Sequence, residues 1–211
     1  MNIKLEHNFR TWCPDKRGLF VGMISKGAIN PNMCDVAAYM KAVCKQSVMP
    51  ENAQRWDPNK YVGDGFEVFV EALIKLMGLH PDIGVADYIP QPGNDNGVDG
   101  VGKGILDLRT ITIQAKYRPR EDALLSAGKD RLDSFFTESV GKNFRIKLDW
   151  DENDKLIGQK PMLVVTTAAG LNDYTRDEKF HGVVRCLNSK DLNRMVGGNT
   201  AFWKQFHDLM I

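Results

Sequence analysis

The chain has 211 residues, of which 43% are hydrophobic and 26% charged, and its net charge is +1. This composition is typical of a folded globular protein and excludes fibrous and disordered classes. No run approaches the roughly 18 apolar residues of a membrane span, and the first residues lack the apolar core of a signal peptide, so we expect a cytoplasmic protein. The four cysteines form no Cys-x-x-Cys pair, which argues against zinc, iron–sulfur and disulfide frameworks and predicts reduced, mostly buried thiols.

Charge is distributed unevenly along the chain. Residues 51–101 hold nine acidic and three basic residues, whereas residues 102–147 hold ten basic and six acidic residues. One interpretation is an acidic, metal-binding patch beside a basic surface that attracts a polyanion. The other is a solvated surface with no such purpose.

The first 50 residues differ in character from the rest of the chain. We predict an N-terminal extension of residues 1–50 that packs on a domain of residues 51–211. Residues 19–24 favour a short strand within the extension. Asn32 is expected to cap a helix that carries Val36, Tyr39, Met40 and Val43 on one face.

The remaining pattern predicts alternating helices and strands. An amphipathic helix runs from Tyr61 and ends at Gly78, and strands follow at 84–89, 98–101 and 110–117. A long helix is predicted over 121–140, and a projecting hairpin over 143–160. A fully apolar strand at 161–167, a helix at 172–180, a strand at 183–187 and a helix at 189–196 complete the order. This order predicts an α/β fold with a mixed sheet covered by helices on both faces.

A set of polar residues on these elements has a joint chemistry. Gln114 and Lys116 lie two apart on one strand and share a face, while Asp99 lies on the adjacent strand or turn. Oxygen atoms from Asp99, Gln114, the Ala115 carbonyl and Glu67 would suit Mg²⁺, and a lysine beside that ion can orient a water or neutralise developing charge. Taken singly, each of these residues has an ordinary structural explanation. Together they favour phosphodiester hydrolysis.

The same residues carry a resemblance to a known family. The run from Gly65-Phe66-Glu67 through NDNGVDGVG to ITIQAKYR resembles the PD-(D/E)XK nuclease superfamily, and within it the Mrr-like restriction endonucleases, whose strand motif commonly reads Gln-x-Lys. The resemblance continues through MLVVTTAAGLNDYTRDEKF and VVRCLNSKDLNRMV and covers about residues 61–196. It implies a restriction-endonuclease-like fold, in which a mixed β-sheet is flanked by helices on both faces. The implied activity is Mg²⁺-dependent cleavage of DNA, with Mn²⁺ able to substitute.

The resemblance assigns a role to each residue. Asp99 corresponds to the metal-binding aspartate and Gln114 to the second acidic or amide position. Lys116 corresponds to the catalytic lysine and Glu67 to the helix glutamate. The implied metal site consists of Asp99, Gln114, Glu67 and the Ala115 carbonyl. Gln114 is neutral where an acid often stands, which leaves open a one-metal site or an inactive descendant. The implied partners are DNA and a second copy of the chain in a homodimer, in a prokaryotic or phage-infected cell.

Three residues after the catalytic strand are candidates for DNA contact. Tyr117, Arg118 and Arg120 could hold the phosphate backbone next to the scissile bond. Local packing of Tyr117 and solvated charge on the two arginines are the alternatives.

Two rival functions stay open at this level. The first is a non-catalytic DNA-binding module on the same fold. The second is a small-molecule α/β enzyme, because Gly100-Val101-Gly102-Lys103-Gly104 superficially resembles a phosphate-binding loop, although the final Gly-Lys-Ser/Thr is missing. Thr166 and Thr167 could act as nucleophiles, but bonds to backbone groups at a strand end are the simpler expectation.

Overall fold

The computed structural model describes residues 30, 32–54, 57–91, 97–106, 108–143, 162–172 and 184–210. The strand predicted at 19–24 lies outside these residues. So do the hairpin predicted at 143–160 and the helix predicted at 172–180, apart from their first residues.

Three helices precede the sheet: α1 (Val36–Ser47), the one-turn α2 (Pro50–Ala53) and α3 (Pro58–Met77). Asp35 is the N-cap of α1, and its carboxylate accepts the N–H of Ala38 at 2.7 Å. The prediction that Asn32 caps this helix was therefore wrong, because the capping side chain has to stand directly before the first helical turn. Asp57 caps α3 in the same way, and α3 ends at Gly78 as predicted.

The strands form one large sheet and one small one. They are β1 (Val85–Pro90), β2 (Gly100–Gly104), β3 (Thr110–Lys116), β4 (Leu124–Leu125), β5 (Met162–Thr166), β6 (Gly170–Leu171) and β7 (Val184–Leu187). The large sheet has the order β1-β2-β3-β5-β7, and β4 pairs with β6. Strand β2 runs antiparallel to β1 and β3, whereas β3, β5 and β7 are parallel. The sheet is thus mixed, as predicted.

Helix α4 (Leu132–Asn143) begins later than the sequence pattern suggested. The segment before it contains β4 and a tight turn in which the Asp130 carboxylate accepts the N–H of Ser126 at 2.6 Å. Arg131 then takes a positive φ of 56°, which no residue inside a right-handed helix adopts. The helix predicted from residue 121 was therefore wrong over its first half.

Helices cover both faces of the sheet. On one face α1, α3 and α6 (Thr200–Met210) meet in an aromatic cluster of Tyr39, Phe69, Trp203 and Phe206, whose ring centroids lie 5.2–6.3 Å apart. Ile111, Ile113 and Ala115 of β3 belong to the same hydrophobic core, as do Leu192, Met195 and Val196 of α5 (Ser189–Val196). On the other face, α4 contributes Phe135 and Phe136 to a second core with Val164 of β5.

Helix α1, which lies in the predicted N-terminal extension, packs on α3. Tyr39 of α1 is fully buried and donates a hydrogen bond to the carbonyl of Gly65 on α3 at 2.8 Å. The boundary predicted at residue 50 coincides with the first residue of α2.

Cys34, Cys44 and Cys186 are free thiols as expected, but Cys34 is exposed and the other two are half-buried, so the expectation of mostly buried thiols was wrong for them. Among the described helices, none combines the length and apolarity needed to cross a lipid bilayer.

Candidate functional site

Asp99 is positioned by the pairing of β2 with β3. Its main-chain N–H donates to the carbonyl of Ile113 at 2.9 Å, and Gly100 is the register partner of Ile113, so Asp99 lies beside Gln114. Gly100 is required at this point, because a Cβ there would fall 2.2 Å from the ring of Tyr88. The tyrosine ring on β1 therefore packs directly on the β2 backbone next to Asp99.

The side chains of Asp99 and Gln114 meet at the main chain of Ala115. Asp99 Oδ2 accepts the N–H of Ala115 at 2.6 Å and the Gln114 side-chain amide at 2.5 Å. The same amide nitrogen lies 3.3 Å from the Ala115 carbonyl oxygen. The structure thus brings together three of the four groups that the sequence proposed as metal ligands. We call Asp99, the Gln114 side chain and the Ala115 carbonyl the Asp99 cluster.

Lys116 lies two residues beyond Gln114 and so on the same face of β3. Its side chain is half-buried, and its ammonium makes no hydrogen bond or ion pair with any residue that the structure describes. The strand end itself is fixed, because the Thr166 hydroxyl donates to the Lys116 carbonyl at 2.6 Å. Lys116 is therefore a cation on the same face of β3 as Gln114, with its main chain joined to Thr166 of β5.

Thr166 and Thr167 form hydrogen bonds with backbone groups at the strand end, as predicted. Thr167 Oγ1 accepts the N–H of Arg118 at 2.8 Å and lies 2.7 Å from the Arg118 carbonyl, to which it donates. The two threonines join the ends of β3 and β5, which leaves their hydroxyls committed to structure.

Glu67 lies on α3, which packs against the face of β3 that carries Ile113 and Ala115, opposite to the face of Gln114. Its neighbour Phe66 has its ring centroid 6.2 Å from that of Tyr117. Glu71, one turn along, is fully buried and pairs with Lys75 at 3.5 Å. Over the described ranges no group of three or more His, Cys, Asp or Glu side chains could hold a metal, so Asp99 is grouped with an amide and a carbonyl rather than with further acids.

The structure gives local partners to all three proposed DNA contacts. Tyr117 packs on Phe66, and burial together with the neighbouring Cys44 thiol raises the pKa of Tyr117 to about 12, so its hydroxyl is neutral at neutral pH. The Arg118 guanidinium binds the Asp130 carboxylate and the Tyr117 carbonyl. Arg120 pairs with Asp122 on the surface. Their role toward DNA stays a prediction.

Asp130 is a residue that the sequence did not single out. Its carboxylate is 4% exposed and joins Arg118, at the end of β3, to Ser126, in the segment before α4. Burial alone would raise the pKa of Asp130, but the Ser126 N–H and the Arg118 guanidinium outweigh it and hold the pKa below its ordinary value. No local pattern marks this residue, because its partner is twelve positions away in an irregular segment.

The chemistry of the cluster fits a hard divalent cation. A carboxylate, a carbonyl and a side-chain amide can each supply an oxygen, and Mg²⁺ fills its remaining positions with water or phosphate oxygens. In the structure the Gln114 amide presents nitrogen to the other two groups. A half-turn of the amide about the Gln114 Cγ–Cδ bond would present Oε1 to the same position instead.

Comparison of the chain with protein-family models, with curated proteins and with solved structures finds no match in any of the three.

Proposed function

We propose that this chain is a divalent-cation-dependent DNA endonuclease with a restriction-endonuclease-like fold. One observation carries the proposal: Asp99, the Gln114 amide and the Ala115 carbonyl meet within hydrogen-bond distance. Lys116 follows on the same face of β3. A carboxylate, two neutral oxygen ligands and an adjacent ammonium are suited to cleaving a phosphodiester.

Each residue has a distinct task in this reaction. Asp99, Gln114 and the Ala115 carbonyl would hold Mg²⁺ or Mn²⁺, which when bound polarises a phosphate oxygen and lowers the pKa of a water. Lys116 places positive charge beside the phosphorus, where negative charge grows as water attacks and the bridging P–O bond breaks. By the resemblance, Glu67 of α3 would supply a further carboxylate to this site.

The proposed substrate is DNA, and the catalytic residues do not determine which DNA structure is cleaved. Cleavage of duplex, of branched junctions and of strand ends all need the same constellation. A homodimer would place two such sites on two strands.

The test is cleavage of a panel of DNA substrates. Linear duplex, single-stranded, flap and four-way-junction DNA are incubated with the full chain in Mg²⁺, in Mn²⁺ and in EDTA. Cleavage of at least one substrate that EDTA abolishes is the expected result. Undiminished cleavage in EDTA would remove the metal from the proposal.

Asp99→Asn, with Asp87→Asn as its matched control, tests the site. Asp87 is an aspartate on β1 whose side chain is 69% exposed and lies beside Lys103. Asp99→Asn keeps an oxygen for the Ala115 N–H but removes the charge, so cleavage should fall about 100-fold or more. Asp87→Asn should cleave like the wild type. Equal rates for the two variants would show that Asp99 is not the site.

A non-catalytic DNA-binding module is the second candidate, and one observation favours it. The Gln114 amide donates a hydrogen bond to the Asp99 carboxylate, so this carboxylate has a partner within the protein that a cation would have to replace. Binding to the panel with no cleavage under any cation would support this candidate over the nuclease.

A further inference from the structure

The two ends of the buried Gln114 side-chain amide lie in different surroundings. Gln114 is 2% exposed, and among the residues that the structure describes its Oε1 accepts no hydrogen bond. Its Nε2 group, in contrast, lies against two acceptors, Asp99 Oδ2 and the Ala115 carbonyl. Buried polar atoms are nearly always paired, so an unpaired one calls for an explanation.

The explanation lies in what the amide nitrogen does. Asp99 Oδ2 and the Ala115 carbonyl are two oxygens that face one point, and without a positive group between them they would repel. The two hydrogens of the Gln114 amide supply that group. The amide nitrogen therefore occupies the position that a cation would take, and its own oxygen is left without a donor among the described residues.

Gly97 provides the space for this arrangement. Its φ is +89°, and a Cβ on Gly97 would fall 2.9 Å from Gln114 Oε1. That distance is shorter than carbon–oxygen contacts in proteins normally are, so a side chain at position 97 would push the amide toward Asp99. A glycine leaves room for either end of the amide to lie there.

We propose that the Gln114 amide is a cation-dependent latch on this site, with Gly97 as the positioning residue that lets it turn. The inference rests on the metal site of the proposed function. Without a divalent cation, the amide nitrogen bonds to Asp99 and holds the site closed. When the cation binds, the amide turns, its oxygen becomes a ligand and the hydrogen bond to Asp99 is lost.

The latch predicts that glutamine and glutamate at position 114 give the protein different stability and different affinity for the cation. Glutamine keeps the cation-free protein stable but weakens cation binding, because the bond to Asp99 has to be broken first. A glutamate at position 114 would face Asp99 as a second carboxylate, which destabilises the cation-free protein and strengthens cation binding.

Thermal unfolding of the full chain, with EDTA or with Mg²⁺, tests the latch. Gln114→Glu should melt below the wild type in EDTA and gain more from Mg²⁺, with the half-maximal Mg²⁺ concentration lowered about tenfold. Gln114→Ala should lose most of the Mg²⁺ effect. The matched control is Gln46→Glu, which changes a glutamine of α1 that is 5% exposed and lies on the other face of the sheet. It should lose equal stability with and without Mg²⁺.

The role of Gly97 has its own comparison. Any residue other than glycine is strained at a φ of +89°, so Gly97→Ala is compared in the wild-type and Gln114→Ala backgrounds, where that strain is the same. The loss of melting temperature should be smaller in the Gln114→Ala background. An equal loss would remove Gly97 from the latch.

A second measurement does not depend on the variants folding. In the wild type, the side-chain NH₂ protons of Gln114 should exchange slowly in EDTA and should shift and exchange faster on addition of Mg²⁺. An NH₂ signal unchanged by saturating Mg²⁺ would overturn the latch.

The outcomes separate the latch from the nuclease. If Mg²⁺ stabilises the wild type and Gln114→Glu alike, the latch is wrong and the metal site survives. If the Mg²⁺ effects appear as expected but no DNA is cleaved, the latch stands and the nuclease fails. Identical melting with and without Mg²⁺ in every variant overturns the latch.

Discussion

Asp99 has two tasks that a substitution can separate. Its carboxylate carries the charge of the site and also accepts the main-chain N–H of Ala115. Asp99→Ala leaves that N–H without its partner, which should lower the free energy of unfolding by about 1–3 kcal/mol. Asp99→Asn retains an acceptor and should lose less. Urea unfolding of both variants measures the difference, and equal losses would show that the bond to Ala115 contributes little.

Lys116 is the residue whose function is easiest to isolate from folding, because its ammonium bonds to none of the described residues. We expect Lys116→Ala to reduce cleavage about 100-fold or more, since charge in the transition state is left uncompensated. Its free energy of unfolding and its affinity for DNA should stay close to those of the wild type.

The matched control for this variant is Lys103→Ala. Lys103 is a lysine on the neighbouring strand β2 whose side chain is 58% exposed. Cleavage rates are compared at one DNA concentration well above the dissociation constant. A similar loss in Lys103→Ala would indicate a general effect of surface charge rather than a catalytic lysine.

At the scale of elements, the Arg118–Asp130 pair joins β3 to the segment before α4. Asp130 is nearly buried and Arg118 about one third exposed, so Asp130→Asn should lower the free energy of unfolding at neutral pH by about 2 kcal/mol, below the range for a fully buried pair. The matched control is Asp122→Asn. Asp122 pairs with Arg120 on the surface, with side chains 72% and 76% exposed, and no measurable change is expected there.

The same pair predicts a pH dependence. The pKa of Asp130 in the folded chain lies below its ordinary value of 3.8, since the Ser126 N–H and the Arg118 guanidinium together outweigh the effect of burial. The stabilisation is therefore complete above about pH 4 and is lost as pH falls through the folded value. The difference in free energy between wild type and Asp130→Asn should shrink below pH 4 in urea titrations. A constant difference from pH 7 to pH 3 would contradict this assignment.

The elements differ in how well their sequences predict them. Helix α3 and strand β5 follow from periodicity and a continuous apolar run, because burial on one or both faces imposes those patterns directly. The sequence predicts that Asp99 and Gln114 lie close together, because they belong to adjacent strands. It does not predict the orientation of the Gln114 amide, which depends on Asp99 Oδ2, on the Ala115 carbonyl and on the space left by Gly97. The segment 121–131 has helix-forming composition, yet the Asp130 turn overrides it through contacts with Arg118.

For the whole molecule, the sheet divides two environments. The aromatic cluster of α1, α3 and α6 lies on one face, while the side chains of Gln114 and Lys116 project from the other. No element was predicted beyond residue 196, so α6 was missed, although its residues Phe202, Trp203 and Phe206 lie in the hydrophobic core. The sheet thus separates the aromatic cluster from the side chains of Gln114 and Lys116.

That separation can be tested at Trp203, which is 1% exposed and donates its indole N–H to the Val196 carbonyl at 2.9 Å. Trp203→Phe removes this bond and part of the ring, and should lower the free energy of unfolding by about 1–2 kcal/mol. Trp203→Ala should lower it by about 3–5 kcal/mol, a large share of the roughly 5–15 kcal/mol that holds a domain folded. Because neither change touches the Asp99 cluster, the Mg²⁺ concentration that gives half-maximal cleavage by Trp203→Phe should equal that of the wild type below the melting transition. A shifted Mg²⁺ midpoint in a fully folded Trp203→Phe variant would mean that the two faces of the sheet are coupled.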